Sequence, residues 1–257
     1  MAAYTTIDDP ELYFQIKLYT GNGGTQSITL DGSENMQPDW VWFKNRSSVN
    51  KHRLFDSVRG AGKGLHNDTN ESEFTQNANV SAFNSNGFSL GDDNGMNSNG
   101  DTHVAWCWKK TATAGFDIVT ATGTGSAKTI SHSLSAVPHW MISKERTGSV
   151  NDWTIYHHKN TSAPETDSLI LNETNATADQ NTHWNDTAPT SSVFTVGTGS
   201  VVNRNSSTYV YYLWSEKQGF SKFGKYTGNG NADGTFVYTG FRPAFVLFKR
   251  TNSTGNW

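Results

Sequence analysis

The stretch "QPDWVWFKNR" at residues 37–46 decides the predicted fold, because it joins a proline to four consecutive apolar residues and a lysine. Proline lacks an amide donor and is tolerated at the first position of a strand. A strand with one face in solvent alternates apolar and polar residues, so the unbroken run "WVWF" predicts a strand covered on both faces. We interpret Lys44, and its later counterparts Lys144 and Lys249, as rim residues whose amines reach water.

The same pattern occurs twice more, as "VPHWMISKER" at 137–146 and "RPAFVLFKRT" at 242–251. The three prolines, Pro38, Pro138 and Pro243, are 100 and 105 residues apart. A glycine turn precedes each copy in register: "YTGNGG", "ATGTGS" and "YTGNGN". Self-similarity at a fixed spacing indicates repeated structural units.

The repeats predict how the chain divides into domains. The first two copies keep matching to their ends, where "DTHVAWCW" at 101–108 pairs with "STYVYYLW" at 207–214. We therefore predict one sandwich module over 1–112, a second over 113–219, and the truncated start of a third over 220–257. A chain of ~100 residues can form its own sandwich, whereas the last fragment is too short to fold alone. It docks on the second module, borrows strands from another subunit, or belongs to a longer protein cut short, which is the alternative we favour.

The fold class predicted is all-β, as tandem concanavalin-like or jelly-roll β-sandwiches. Short bursts of aromatic and β-branched residues are separated by Gly, Asn, Ser, Thr and Asp, which favour turns and disfavour helices. No segment has a convincing helical pattern. Cys107 is the one cysteine in the 257 residues, and its apolar setting "VAWCWKK" predicts a buried, unreactive side chain.

Charge and hydropathy exclude two classes of partner. The formal net charge is −3 and the basic residues are scattered, so we expect no binding to nucleic acid. No apolar stretch approaches the ~20 residues that cross a bilayer, so we expect no membrane insertion.

Sequence motifs for catalysis fail on spacing, so we predict no enzymatic activity and no cofactor. "RGAGKGLH" at 59–66 resembles a phosphate loop, but Gly64 replaces the hydroxyl residue that binds magnesium. The eight histidines include no His-Glu-x-x-His spacing, and Gly-x-Ser-x-Gly is absent. The paired carboxylates of a laminarinase-like glycosidase are also absent.

One acidic loop is a weak calcium candidate. "GDDNGMNSNGD" at 91–101 places Asp92, Asp93 and Asp101 among asparagine oxygens, which are ligands that Ca²⁺ prefers. Its counterpart in the second copy has no carboxylate, so we favour a solvated hairpin over a metal site.

Several strings resemble a known family: "PDWVWFKNRSSVNKHRLFDSVRG", "FNSNGFSLG", "TISHSLSAVPHWMISKE" and "GFSKFGKYTGNGNADGTFVYTGFRPAFVLFKRT". They resemble a repeated domain of unknown function that is common in virion and tail-associated proteins of marine phages. The resemblance covers nearly the whole chain. It implies a concanavalin-like or laminin-G-like β-sandwich on a phage particle, and it supplies no catalytic residues.

The leading functional hypothesis is a virion structural protein, part of a tail fibre or other surface appendage, that mediates adhesion to a glycan of the host envelope. The virion, assembled in the host cytoplasm, is then its location, and its partners are other virion proteins, with a homotrimer as one option. The alternative is a purely architectural spacer or decoration that binds only virion proteins. A polysaccharide depolymerase is a weaker alternative.

The best candidate for glycan binding is "THWNDTAPTS" at 182–191. Sugar binding requires an exposed aromatic ring beside amide or carboxylate groups, which predicts Trp184 as the stacking platform and Asn185 and Asp186 as polar contacts. The competing interpretation is that Trp184 closes one end of the sandwich core, since large aromatic residues dominate cores.

Overall fold

A computed structural model describes residues 5–148 and 151–257 of the chain. The predicted all-β class is confirmed, since antiparallel sheets form almost all the regular structure. The three α-helices, α1 (Asn94–Asn97), α2 (Asn181–Trp184) and α3 (Ser200–Asn203), are single turns, and two short 3₁₀ turns lie at Pro10–Leu12 and Pro164–Thr166. Over the described residues, none of these helices has the length and apolar character of a membrane span.

The first sandwich consists of a six-stranded and a three-stranded sheet. The order of strands is β1-β9-β3-β4-β5-β6 in the large sheet and β2-β8-β7 in the small one. Their bounds are β1 (Phe14–Thr20), β2 (Gln26–Thr29), β3 (Trp40–Asn45), β4 (Arg53–Asp56), β5 (Lys63–Leu65), β6 (Phe74–Thr75), β7 (Val80–Asn84), β8 (Gly87–Leu90) and β9 (Thr102–Trp108). The apolar residues between the two sheets include Ile28, Val41, Phe43, Phe55, Phe88 and Cys107.

The second sandwich follows the same plan. Its large sheet has the order β10-β17-β12-β13-β14-β15, which matches the first strand by strand, and its small sheet is β11-β16. The bounds are β10 (Phe116–Thr122), β11 (Lys128–Ser131), β12 (Trp140–Glu145), β13 (Thr154–His157), β14 (Asp167–Ile170), β15 (Ala178–Asp179), β16 (Val193–Val196) and β17 (Thr208–Trp214). Its core includes Ile130, Met141, Tyr156, Phe194, Tyr209, Tyr211 and Leu213. The domain boundaries themselves stay a prediction.

Strand β3 is buried on both faces, as its unbroken apolar run predicted. Val41 and Phe43 point into the core of the first sandwich. Trp40 and Trp42, which alternate with them, point to the opposite side, where they join a second apolar cluster. Each large sheet therefore has one face in its own sandwich and one face in this shared cluster.

We call the shared cluster the aromatic junction. It lies between the outer faces of the two large sheets, and its members from the first sandwich are Trp40, Trp42, Leu54, Leu65, Trp106 and Trp108. The second sandwich contributes Phe116, Ile118, Trp140, Ile142, Trp153, Ile155, Leu169, Leu171, Val210, Tyr212 and Trp214. The ring of Trp40 lies at the centre, with centroids 6.0, 5.6 and 5.5 Å from those of Phe116, Tyr212 and Trp214. The two sandwiches thus share one buried core.

Residues 220–257, the C-terminal segment, dock on both sandwiches, and no strand is assigned within them. Four of their apolar side chains, Phe223, Phe245, Leu247 and Trp257, are partly buried against the aromatic junction. Docking was one of the three arrangements considered from the sequence. The segment contacts the first sandwich as well as the second, which the sequence did not predict.

The lysine that follows each apolar run donates a hydrogen bond to a carbonyl of the next loop. The Lys44 amine lies 2.5 Å from the carbonyl oxygen of Asn50, and the Lys144 amine lies 2.5 Å from that of Asn151. The rim position predicted for Lys144 is wrong, because its side chain is 0% exposed. Burial lowers the pKa of Lys144 to about 8, and the carboxylates of its surroundings oppose this change only in part.

Candidate functional site

The loop predicted to bind glycan begins at the helical turn α2. Trp184 ends this turn and is 1% exposed, with its ring centroid 6.0 Å from that of Tyr156 in the core of the second sandwich. A buried indole cannot stack on a sugar, so the stacking role predicted for Trp184 is wrong. Its large apolar area closes the core instead, which was the competing interpretation.

Asn185 and Asp186 remain at the surface of this loop. Both have a left-handed backbone, with φ of 56° and 46°, so the chain reverses direction immediately after Trp184. Both are exposed, and the Asn185 amide makes one long hydrogen bond of 3.4 Å to the hydroxyl of Thr187. Their polar groups therefore face solvent, but the ring that precedes them, that of Trp184, is buried.

Two carboxylates of the acidic loop are already engaged by other groups of the protein. Asp93 accepts a hydrogen bond from the amide of Gly95 at the start of α1 and forms an ion pair with Arg53. Asp101 accepts hydrogen bonds of 2.8 and 2.9 Å from Asn45 and from Ser48, and these bonds lower its pKa. No cluster of three or more potential metal ligands is found in the described residues, so Asp92, Asp93 and Asp101, the weak calcium candidate, are not brought together as a ligand set.

Cys107 is buried within β9 and faces the core of the first sandwich. Burial alone raises the pKa of its thiol far above the usual range. The thiolate, which is the nucleophilic form, is therefore suppressed at neutral pH. The prediction of a buried cysteine is confirmed.

A network of buried charges joins the two sandwiches beside the aromatic junction. The carboxylate of Asp56 accepts hydrogen bonds from the Arg59 guanidinium at 2.5 Å and, across the interface, from the hydroxyl of Tyr212 at 2.7 Å. Glu73 bridges two arginines, with an oxygen 2.9 Å from Nη1 of Arg59 and 2.8 Å from Nε of Arg146 in the second sandwich. The network thus carries complementary charges across the interface between the sandwiches.

The pKa values follow from this burial. Desolvation alone would lower the pKa of Arg59, but the carboxylates of Asp56 and Glu73 outweigh it, and the pKa of Arg59 is raised. Arg146 and Arg59 hold the pKa of Glu73 below its usual range, although burial opposes this. Both shifts favour the charged forms of Arg59 and Glu73, and a buried network tolerates such charges only while every member keeps its partner.

The residues that sequence reasoning missed lie in the C-terminal segment. Every strongly exposed aromatic side chain in residues 5–148 and 151–257 belongs to it, namely Tyr226, Phe236, Tyr238 and Phe248. The repeat alignment could have drawn attention to Phe248. Its counterpart Phe43 was predicted to lie in a strand that is covered on both faces.

Residues 9–257 match the family described as Domain of unknown function (DUF7483). The chain belongs to this family. A comparison with curated proteins found no match to the chain.

Proposed function

We propose that this DUF7483 chain is a non-enzymatic structural component of a phage virion, part of a tail fibre or other surface appendage, and that it acts by packing against other virion proteins. The phage setting rests on the sequence strings that resemble tail-associated proteins. In this proposal the copies at 37–46, 137–146 and 242–251 are tandem repeats of one domain.

The observation that carries the proposal is the aromatic junction. The tryptophan-rich faces of both large sheets, which could otherwise present rings to a sugar, are packed against each other. Among residues 5–148 and 151–257, the strongly exposed aromatic side chains lie within 226–248, and exposed apolar patches are typical of protein interaction sites. The geometry therefore favours the architectural alternative over adhesion.

Adhesion to a host-envelope glycan is the second candidate, and the exposed Asn185 and Asp186 favour it. Weak sites of this kind gain strength when several copies act together, as on a particle with repeated appendages. Without an adjacent ring, each site would depend on hydrogen bonds alone.

The experiment compares two kinds of variant in assembled particles. Asn185→Gly with Asp186→Gly removes both polar side chains and keeps the left-handed backbone, which glycine adopts readily. We expect normal incorporation of this variant into particles and normal adsorption to host cells. Normal incorporation with impaired adsorption would overturn the architectural proposal in favour of adhesion.

The second variant, Val246→Asp with Phe248→Asp, tests packing directly, with Val49→Asp as the matched control. Val49 is fully exposed, in the loop that follows β3 of the first sandwich. We expect the double variant to be depleted from particles, measured by immunoblot, and the control to be incorporated normally. Equal incorporation of both would contradict the proposal.

A further inference from the structure

The C-terminal segment enters the aromatic junction in the way that a third sandwich would. In the repeat alignment Phe245 is the counterpart of Trp40. The ring of Phe245 has centroid distances of 6.3, 5.9 and 5.3 Å to the rings of Phe14, Trp106 and Trp108. Trp40 contacts Phe116, Tyr212 and Trp214 of the second sandwich. In the alignment, Phe14, Trp106 and Trp108 are the counterparts of those three residues. The contacts between the segment and the first sandwich therefore repeat the contacts between the first sandwich and the second.

Contacts between the second sandwich and the segment close the cycle of the three copies. Trp140, the counterpart of Trp40 in the second sandwich, has its ring 6.0 Å from that of Phe223 in the segment. Three copies of the pattern thus contact one another in cyclic order around the aromatic junction. Phe223 is the counterpart of Ile118, two residues beyond the counterpart of Phe116, so this third contact is similar to the other two without matching them residue by residue. A closed ring of contacts is the arrangement that cyclic symmetry produces.

Hydrogen bonds repeat along with the ring contacts. The indole nitrogen of Trp153 donates to the carbonyl of His66 in the preceding sandwich at 2.9 Å. Its counterpart Trp257 donates to the carbonyl of Ile170, again in the preceding sandwich, at 2.6 Å. A backbone amide bond also accompanies each step, from Asn151 to Asn70 at 3.1 Å and from Gly255 to Thr174 at 2.9 Å. The segment is therefore held in the place and orientation of a third sandwich.

The other side of the segment is uncovered. Phe245 and Leu247 are half-buried toward the junction, whereas Val246 and Phe248, which alternate with them, are 66% and 64% exposed. Their counterparts Val41 and Phe43 are buried in the core of the first sandwich. The exposed pair thus presents the face of a sandwich core.

In both sandwiches a central strand lies in the large sheet beside the strand that carries this pair, while the small sheet covers the pair itself. Strand β9 pairs with β1 on one side and β3 on the other, and β17 pairs in the same way with β10 and β12. The counterparts of the two flanking strands in the segment are residues 221–227 and 245–250, and no strand of the described residues lies between them. We infer that this segment is an acceptor for an extended aromatic strand of the β9 and β17 type, supplied by a further sandwich of the same family.

The two existing central strands define the chemistry of the donor. Both have seven residues, begin with threonine and end with tryptophan, as "THVAWCW" and "TYVYYLW". In each sandwich that final tryptophan lies opposite the first residue of both flanking strands, as Trp108 does opposite Phe14 and Trp40. By the same register the donor tryptophan would lie opposite Ser221 and Phe245. Pairing by added strands derives affinity from main-chain hydrogen bonds and specificity from alternate side chains.

The test measures binding of a labelled peptide to the full chain. The peptide has the sequence of residues 101–110 with Cys107→Ala, and a peptide of the same composition in scrambled order is its control. We expect a saturable rise in fluorescence anisotropy with the first peptide only. Binding should weaken at least about tenfold in the Val246→Asp, Phe248→Asp chain and stay unchanged in Val49→Asp. Equal binding of both peptides, or no binding, would overturn the inference.

Amide hydrogen exchange gives a second measurement that does not depend on peptide solubility. Because Trp257 is the counterpart of Trp153, a copy of residues 154–219 is appended directly after Trp257. We expect exchange at 221–227 and 245–250 to slow at least about tenfold, since strand pairing protects amides. Unchanged exchange would overturn the inference. This inference rests on the proposed function, because it names the partner in assembly. The two can fail separately: the peptide and exchange assays use purified chain and test the inference, whereas incorporation of the Val246→Asp, Phe248→Asp variant into particles tests the proposed function.

Discussion

Replacing the buried carboxylate of Asp56 tests whether the charge network stabilises the union of the two sandwiches. Asp56→Asn keeps the shape of the side chain but leaves the Arg59 guanidinium, which is buried, with Glu73 as its remaining charged partner. Breaking a buried ion pair by removing one partner typically costs 3–5 kcal/mol, so we expect the free energy of unfolding to fall by about 4 kcal/mol. Urea unfolding monitored by tryptophan fluorescence measures the change, since tryptophans of both sandwiches line the junction.

The matched control is Asp31→Asn, which removes the partner of Lys17 in an exposed ion pair of 3.0 Å. Exposed pairs contribute about 1 kcal/mol or less, so we expect a small effect. Tyr212→Phe should cost about 1.5–3 kcal/mol alone, because it removes a hydrogen bond to a charged group, and less in the Asp56→Asn chain, where that charge is gone. If Asp56→Asn costs no more than Asp31→Asn, or if the effects of the Asp56 and Tyr212 changes simply add, the assigned role of the network is incorrect.

Three further predictions follow from single contacts. Trp153→Phe removes an indole donor shared by two carbonyls of the first sandwich, and should lower the free energy of unfolding by about 1–2 kcal/mol in urea titrations. Burial lowers the pKa of His183 from 6.5 to about 4. As the pH falls, the unfolded chain therefore binds a proton before the folded chain does, and the free energy of unfolding should fall by up to about 3 kcal/mol between pH 6.5 and 4. His183→Gln should remove this part of the pH dependence. Gly87→Ala should destabilise more than Gly60→Ala in thermal melts. Both residues have positive φ, but of the two only Gly87 would place a Cβ atom against a backbone oxygen, that of Ile28.

Much of the fold could be predicted from patterns that record burial. The continuous apolar run of β3 correctly indicated cover on both faces, and its alternation assigns Trp40 and Val41 to opposite sides. The sequence could not predict what covers the outer face, because a strand pattern reports that a residue avoids water and not which residue it contacts. That partner is the outer face of the second large sheet, which begins at Phe116.

The candidate site was harder to predict for the same reason. A tryptophan next to an asparagine and an aspartate has the composition of a sugar site, and only three-dimensional packing shows that Trp184 is in the core while Asn185 and Asp186 are at the surface. The sequence placed Lys144 at the rim because lysine is rarely buried. In the structure, loop carbonyls accept hydrogen bonds from its amine, and the ring of Trp153 lies 5.7 Å from that amine. The sequence alone does not show these compensating contacts.

The cyclic order of contacts at the aromatic junction also limits how many copies can share one centre. Once the third contributor meets the first, no unoccupied side is left for a fourth to join by the same contacts. If chains of this family carry further copies, we expect them to grow by stacking complete triplets along an axis, with copy numbers in multiples of three. Counting copies across the family would show whether geometry has constrained gene length in this way.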